Sequence, residues 1–338
     1  MTMSWERLCT RLLCGVTACL VPLLLSGCGD SPTAGAPDGQ SEGQYTIVCT
    51  TGMVSDIVQQ VAGTRATVVT LMGEGVDPHL YVPTRSDVVR LRDADVIFYS
   101  GLLLEGQMQH TFETLSSNGK PVFAVTADLS QSELLAPPEF EGHPDPHVWN
   151  DVTLWSRAVE TIATRLGEYD AERAEEYHER SAAYRQQLEA LDDYARSTIA
   201  SIPQSGRYLV TAHDAFGYFS RAYGIPVESV QGITTESEPG VDDINRLVDL
   251  LVSKKLPAIF VESSVNSANL EAVVSGAQSR NWEVKHGGTL FSDAMGAQGT
   301  YEGTYIGMID HNVTTIAQAL GGQAPERGMQ GKLGNRKP

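Results

Sequence analysis

The chain has 338 residues, 41% of them hydrophobic, and a formal net charge of −18. That length suffices for two ordinary domains with full apolar cores. The acidic balance argues against a nucleic-acid partner, which asks for a basic stripe. It suits a cationic ligand, because a negative field raises the local cation concentration, although solubility alone accounts for it equally well.

In chain order, residues 1–28 read as an address. Arg7 and Arg11 precede an apolar stretch, 12–25, that is short for a bilayer span. The run Leu25-Ser26-Gly27-Cys28 looks like a bacterial lipobox, with cleavage before Cys28 and a lipid on its thiol. Residues 29–44, rich in Gly, Ser, Pro and Asp, read as a flexible tether. Of the five cysteines, Cys9, Cys14 and Cys19 leave with the signal segment. Cys49 is then the one thiol beyond the lipid site, so no internal disulfide is expected.

From 45 onward, apolar β-branched runs alternate with helical patterns. Strands are expected at 45–50, 67–71, 95–99 and 121–126, with helices at 54–62 and 85–94. Asp151 is positioned to cap a helix reaching about residue 166. Residues 171–200 contain no Gly or Pro and place Tyr177, Tyr184, Leu188, Leu191 and Tyr194 at helical spacing. They predict one helix of about 45 Å at about 1.5 Å per residue, a strut between two βα halves. The alternation resumes with strands at 207–211, 227–230, 258–262 and 284–290 and helices at 214–223, 241–253, 268–277 and 304–320. The expected fold class is therefore α/β: two (β/α) lobes with parallel-type sheets joined by one long rigid helix. The boundaries are 45–170, 171–203 and 204–322, with 323–338 a disordered tail.

Four segments of this frame offer metal donors: Asp77-Pro78-His79, Asp145-Pro146-His147-Val148-Trp149, Thr211-Ala212-His213-Asp214 and Phe291-Ser292-Asp293. Three imidazoles and a carboxylate complete the shell of a divalent transition ion. They are scattered over most of the chain, unlike the crowded ligands of a zinc finger. Each falls near the carboxyl end of an expected strand, where open α/β sheets bind ligands. Pro78 and Pro146 stiffen two of the loops. Glu262 and Asp214 lie near strand ends of the second lobe, and either one orients a ligand imidazole or caps the following helix. His143 sits close to His147 in a Gly- and Pro-containing segment. His110, His178, His286 and His311 lack a partner motif.

These motifs, with Phe260-Val261-Glu262-Ser263-Ser264 and Ser292-Asp293-Ala294-Met295-Gly296, are similar to those of the zinc/manganese substrate-binding lipoproteins of ABC transporters, the TroA-like family. The resemblance spans about 45–320. It implies a monomeric, non-enzymatic protein on the outer side of the cytoplasmic membrane, held by a lipid on Cys28. Its site of His79, His147, His213 and Asp293 would lie in the cleft between lobes, taking Zn²⁺ or Mn²⁺ to a membrane permease. Manganese-type members usually carry Glu at the third position, where this chain has His213, and the His-rich loop of zinc-specific members is absent. Three imidazoles and the Irving–Williams order favour zinc, whereas a bidentate Asp293 suits manganese, so both metals stay open. Binding should weaken below about pH 6, where free imidazoles protonate. The competing classes are a zinc hydrolase, which lacks a His-Glu-x-x-His helix here, and a surface adhesin, which would not need the metal donors.

Overall fold

A computed structural model describes residues 44–334, residue 141 apart. The signal segment, Cys28 and the tether as far as residue 43 lie outside the described residues. The first half runs β1 (Tyr45–Cys49), α1 (Gly52–Ala62), β2 (Ala66–Thr70), α2 (Arg85–Asp93), β3 (Val96–Tyr99), α3 (Gln109–Ser117) and β4 (Val122–Ala124). Its strands pair in the order β2-β1-β3-β4, all parallel. Ile47, Val48 and Cys49 of the central strand are covered on both faces, as a parallel sheet requires. Helix α1 starts two residues earlier than its apolar pattern because the Thr51 hydroxyl accepts from the Val54 amide and caps it. Helix α3 has no apolar stripe, Phe112 being its one buried residue, and periodicity therefore does not reveal it.

Two long helices follow, α4 (Val152–Tyr169) and, after a short 3₁₀ turn, α5 (Ala174–Ala200). Asp151 caps α4 as expected, accepting from the Thr153 and Leu154 amides. Helix α5 has 27 residues, about 40 Å at about 1.5 Å per residue. The second half runs β5 (Leu209–His213), α6 (Gly217–Tyr223), β6 (Val227–Gln231), α7 (Val241–Lys254), β7 (Ala258–Glu262), α8 (Ala268–Ser279), β8 (Lys285–Leu290) and α9 (Tyr305–Ala319). Strands β5 and β6 pair in parallel, as do β7 and β8. The two pairs lie side by side, β5 against β7. At their seam one side chain replaces strand pairing: Glu262 Oε1 accepts from the backbone amides of Ala212 and His213.

Tyr177, Tyr184, Leu188 and Leu191 form the buried stripe of α5, which packs on α4, α1 and α9. One apolar cluster runs from Ile47 and Val58 through Trp155 and Leu188 to Tyr305 and Ile309. The two lobes therefore share a core across the strut. Opening them widely would expose apolar surface at about 25 cal/mol per Å², which restrains any hinge.

The tail departs from the expectation of disorder over 323–334. Met329 donates its amide to buried Asp310 Oδ1, Gly334 donates to Glu302, and Leu333 is buried. A few polar anchors, buried Leu333, and Ala324 and Met329 packed on the core hold this segment, and such anchoring leaves no periodic trace in a Gly- and Lys-containing sequence.

Candidate metal centre

His79 and His147 arise from the same local device. In each Asp-Pro-His turn the aspartate accepts the backbone N–H of the histidine two residues on, at 2.9 Å for both Asp77 and Asp145. Such Asx turns form because a short carboxylate mimics a backbone acceptor. Beyond this the two turns differ. Asp145 Oδ1 also takes the ring Nδ1 of His147 at 2.8 Å, whereas Asp77 Oδ2 accepts from the Thr235 hydroxyl.

His213 is the last residue of β5. The strand is expected to end at 211, and it continues because Leu209, Val210, Thr211 and Ala212 are buried together with the imidazole. The Nδ1 of His213 meets Glu262 Oε2 at 2.5 Å, while the other carboxylate oxygen holds the strand backbone. Asp293 lies in the loop after β8. Its predecessor Ser292 accepts from the Trp149 indole N–H at 2.8 Å, and Phe291 is clamped by the Asn312 side chain.

These four side chains converge. Their donor atoms lie within 4.8 Å of one another. His147 Nε2 stands 3.2 Å from His79 Nε2, 3.4 Å from His213 Nε2 and 3.3 Å from Asp293 Oδ1. Asp293 Oδ2 stands 3.1 Å from His213 Nε2 and 3.8 Å from His79 Nε2. Bonds of about 2.1 Å to a tetrahedral ion place neighbouring donors about 3.4 Å apart. Asp293 is buried, and apart from the three imidazoles neither of its oxygens has a hydrogen-bond partner. A buried carboxylate that faces only imidazoles needs positive charge beside it, and a cation amid these atoms, or protons on the rings in its absence, supplies that charge.

The electrostatics sort the imidazoles into two kinds. Burial drives His79 down to about 3, outweighing Asp293, so this ring stays neutral. Burial also disfavours charge on His147, but Asp145 and Asp293 overcome it and raise the ring to about 9. For His213, burial is again outweighed, here by Asp293 and Glu262, and the ring sits well above its ordinary value. Burial would raise Asp293, yet His213 and His147 hold it well below the usual carboxylate range.

Of the two carboxylates that the sequence leaves open, Glu262 lies against the His213 imidazole. Asp214 does not: the ring nitrogens of His213 face Glu262, Asp293 and His147, and α6 has no side-chain cap. The orienting role on the other side falls to Asp145, a residue of the ligand motif to which sequence reasoning assigns no function. The signal that could have found it is the repeated Asp-Pro-His pattern. His143 is exposed and packs on the Phe140 ring, outside the group. Buried Cys49 ends β1, its thiol pushed up by burial, also outside the group. His110, His178 and His286 are exposed, and His311 bonds the Thr289 carbonyl.

A two-lobed α/β frame with a buried cluster of imidazoles and a carboxylate defines a class, the extracytoplasmic solute-binding proteins. Residues 47–319 match the family described as zinc-uptake complex component A, periplasmic. The chain is 44% identical over 316 residues to the zinc-binding protein TroA of Treponema pallidum, covering 93% of this chain and 98% of that protein. It is 41% identical over 297 residues to the manganese-binding lipoprotein MntA of Bacillus subtilis, covering 88% and 95%. The solved structure of periplasmic zinc-binding TroA from Treponema pallidum superposes with a TM-score of 0.80, at 46% identity over 82% of this chain and 99% of that one. The chain belongs to this family, the zinc/manganese substrate-binding proteins of ABC transporters. Its members bind a solute for transport and are not enzymes.

Proposed function

We propose that this protein captures a divalent transition ion, Zn²⁺ or Mn²⁺, outside the cytoplasmic membrane and hands it to an ABC permease for import. The ion would be held by His79, His147, His213 and Asp293. The carrying observation is the pair of buried Asp293 oxygens that face three imidazole nitrogens and no other polar partner. Glu262 and Asp145 would fix two of the imidazoles by their Nδ1 atoms, so that each offers Nε2 to the ion. No donor residue is more than 2% exposed. A hydrolytic zinc keeps a position open for water and substrate, and this enclosure disfavours that reading.

Both metals have support. The relatives above include a zinc binder and a manganese binder. Three imidazoles favour Zn²⁺ on intrinsic affinity. Two free oxygens on Asp293 allow a fifth donor, which suits Mn²⁺. A lipid on Cys28 would tether the monomeric protein to the membrane, in keeping with the lipoprotein name of the Bacillus subtilis relative. Metal analysis of protein purified without added metal, followed by competition titration with Zn²⁺ and Mn²⁺, tests the function. One ion per chain is expected, lost in a His213→Ala variant. A variant that binds as tightly as the parent removes His213 from the shell.

A further inference from the structure

The four candidate donors are not held alike. The His147 turn belongs by sequence to the first half, yet the second half grips it through four hydrogen bonds. Trp149 donates to the Ser292 carbonyl, Asn150 to the Ala215 carbonyl, Tyr218 to the Asp145 carbonyl and Tyr305 to the Trp149 carbonyl. Residues 145–150 are all buried. His213 and Asp293 sit on or beside strands of that same half. These three donors form one braced unit.

The His79 loop is different. It is exposed on both flanks of the ligand: Gly73, Glu74 and Gly75 before it, and Leu80 at 53% and Val82 at 69% after it. Among the described residues, one hydrogen bond joins the loop's other residues to the second half, from the Thr235 hydroxyl to Asp77 Oδ2. Through its other oxygen Asp77 fixes the His79 backbone. Thr235 is itself held, because the buried Gln231 amide donates to its carbonyl and to that of Ser237. The chain of contacts is continuous: Gln231, Thr235, Asp77, His79.

We propose that Thr235 is a positioning residue for metal retention: through Asp77 it latches the His79 loop, the one ligand loop that swings to admit and release the ion. This rests on the reading that the four residues hold the metal. His79 leaves first on release, while His147, His213 and Asp293 keep their places. The hydrogen bond exists only with the loop closed, so losing it acts on the closed state and hence on the release rate.

The test is stopped-flow release of Zn²⁺ from the loaded protein into excess chelator, for the parent, Thr235→Val and Thr235→Ser. Valine keeps the shape and deletes the donor; serine keeps the donor. Release about tenfold faster or more is expected for valine and within about twofold of the parent for serine. The association rate should change less than the release rate, and the melting temperature of the metal-free protein should match the parent. Release from the valine variant within about twofold of the parent overturns the latch, as does a lowered metal-free melting temperature with unchanged release. Failure of the parent to take up Zn²⁺, or undiminished binding in His147→Ala, overturns the reading of the site instead.

Discussion

The two Asp-Pro-His turns share a sequence and a backbone hydrogen bond, yet they place their imidazoles in different physical states. At the His147 turn the aspartate bonds the ring, the ring is raised to about 9, and buried neighbours from the other half surround it. At the His79 turn the aspartate faces away to Thr235, and burial leaves the ring neutral at about 3. Identical tripeptides thus diverge through what packs against them. One turn builds a fixed imidazole that holds a proton until metal displaces it, and the other an uncharged imidazole on an exposed loop. Local sequence sets the turn, and tertiary contacts set the function.

The most damaging substitution should be the one both turns depend on. Asp293 supplies the negative charge facing all three imidazoles. Asp293→Ala is expected to lower Zn²⁺ affinity by at least about a thousandfold, read by competition with a chelator. A loss below about tenfold would mean that the imidazoles alone hold the ion. Next in size is the difference between the turns themselves. Asp145→Asn removes the carboxylate that orients the His147 ring, and such changes cost about 10–100-fold in metal affinity. Asp77→Asn touches no ring and should cost less at equilibrium. Equal losses would erase the distinction between the turns.

Protons give a third way to sharpen it. Metal needs neutral imidazole. His147, raised to about 9, and His213, raised as well, are protonated in the metal-free protein at neutral pH, whereas His79 is not. Binding must therefore displace at least one proton, and the one on His147 makes affinity rise about tenfold per pH unit until pH passes about 9. This moves the pH window above the value near 6 that free imidazole suggests. The sign for the metal-free fold is opposite at the two groups. The raised His147 stabilises it fully below its unfolded value and is lost as pH rises through about 9. The depressed Asp293 stabilises it above the ordinary carboxylate value and is lost on acidification. Calorimetry in buffers of different ionisation enthalpy counts the protons. Zero released at pH 7 would contradict the assignment, and an Asp145→Asn variant should release fewer than the parent.

The strand-and-helix alternation, the strut and the four donors are legible in the sequence, because each rests on a local pattern or a rare residue type in a turn. What stays hidden there depends on register between distant segments. Glu262 rather than Asp214 meets His213 because β7 lies beside β5, and neither strand's pattern states its neighbour. His213 within the strand, the stripe-less helix α3 and the ordered segment 323–334 are of the same kind. Each is stabilised by scattered long-range contacts, such as Met329 on Asp310, which leave no period in the sequence.

The smallest effect tests the bracing of the His147 turn directly. Trp149→Phe keeps an aromatic ring in a fully buried position and deletes the N–H that meets the Ser292 carbonyl. Leaving a buried acceptor unsatisfied costs about 1–3 kcal/mol, or several degrees in melting temperature for a domain of this size. The loss should appear in the metal-free protein, because Trp149 sits within the unit of three donors that keeps its place when the ion leaves. Release of Zn²⁺ should quicken less than in Thr235→Val, because the three braced donors still keep their places. If Trp149→Phe instead speeds release more than Thr235→Val while leaving the metal-free melting temperature intact, the roles of the turns are reversed, and the ion leaves past His147 rather than past His79.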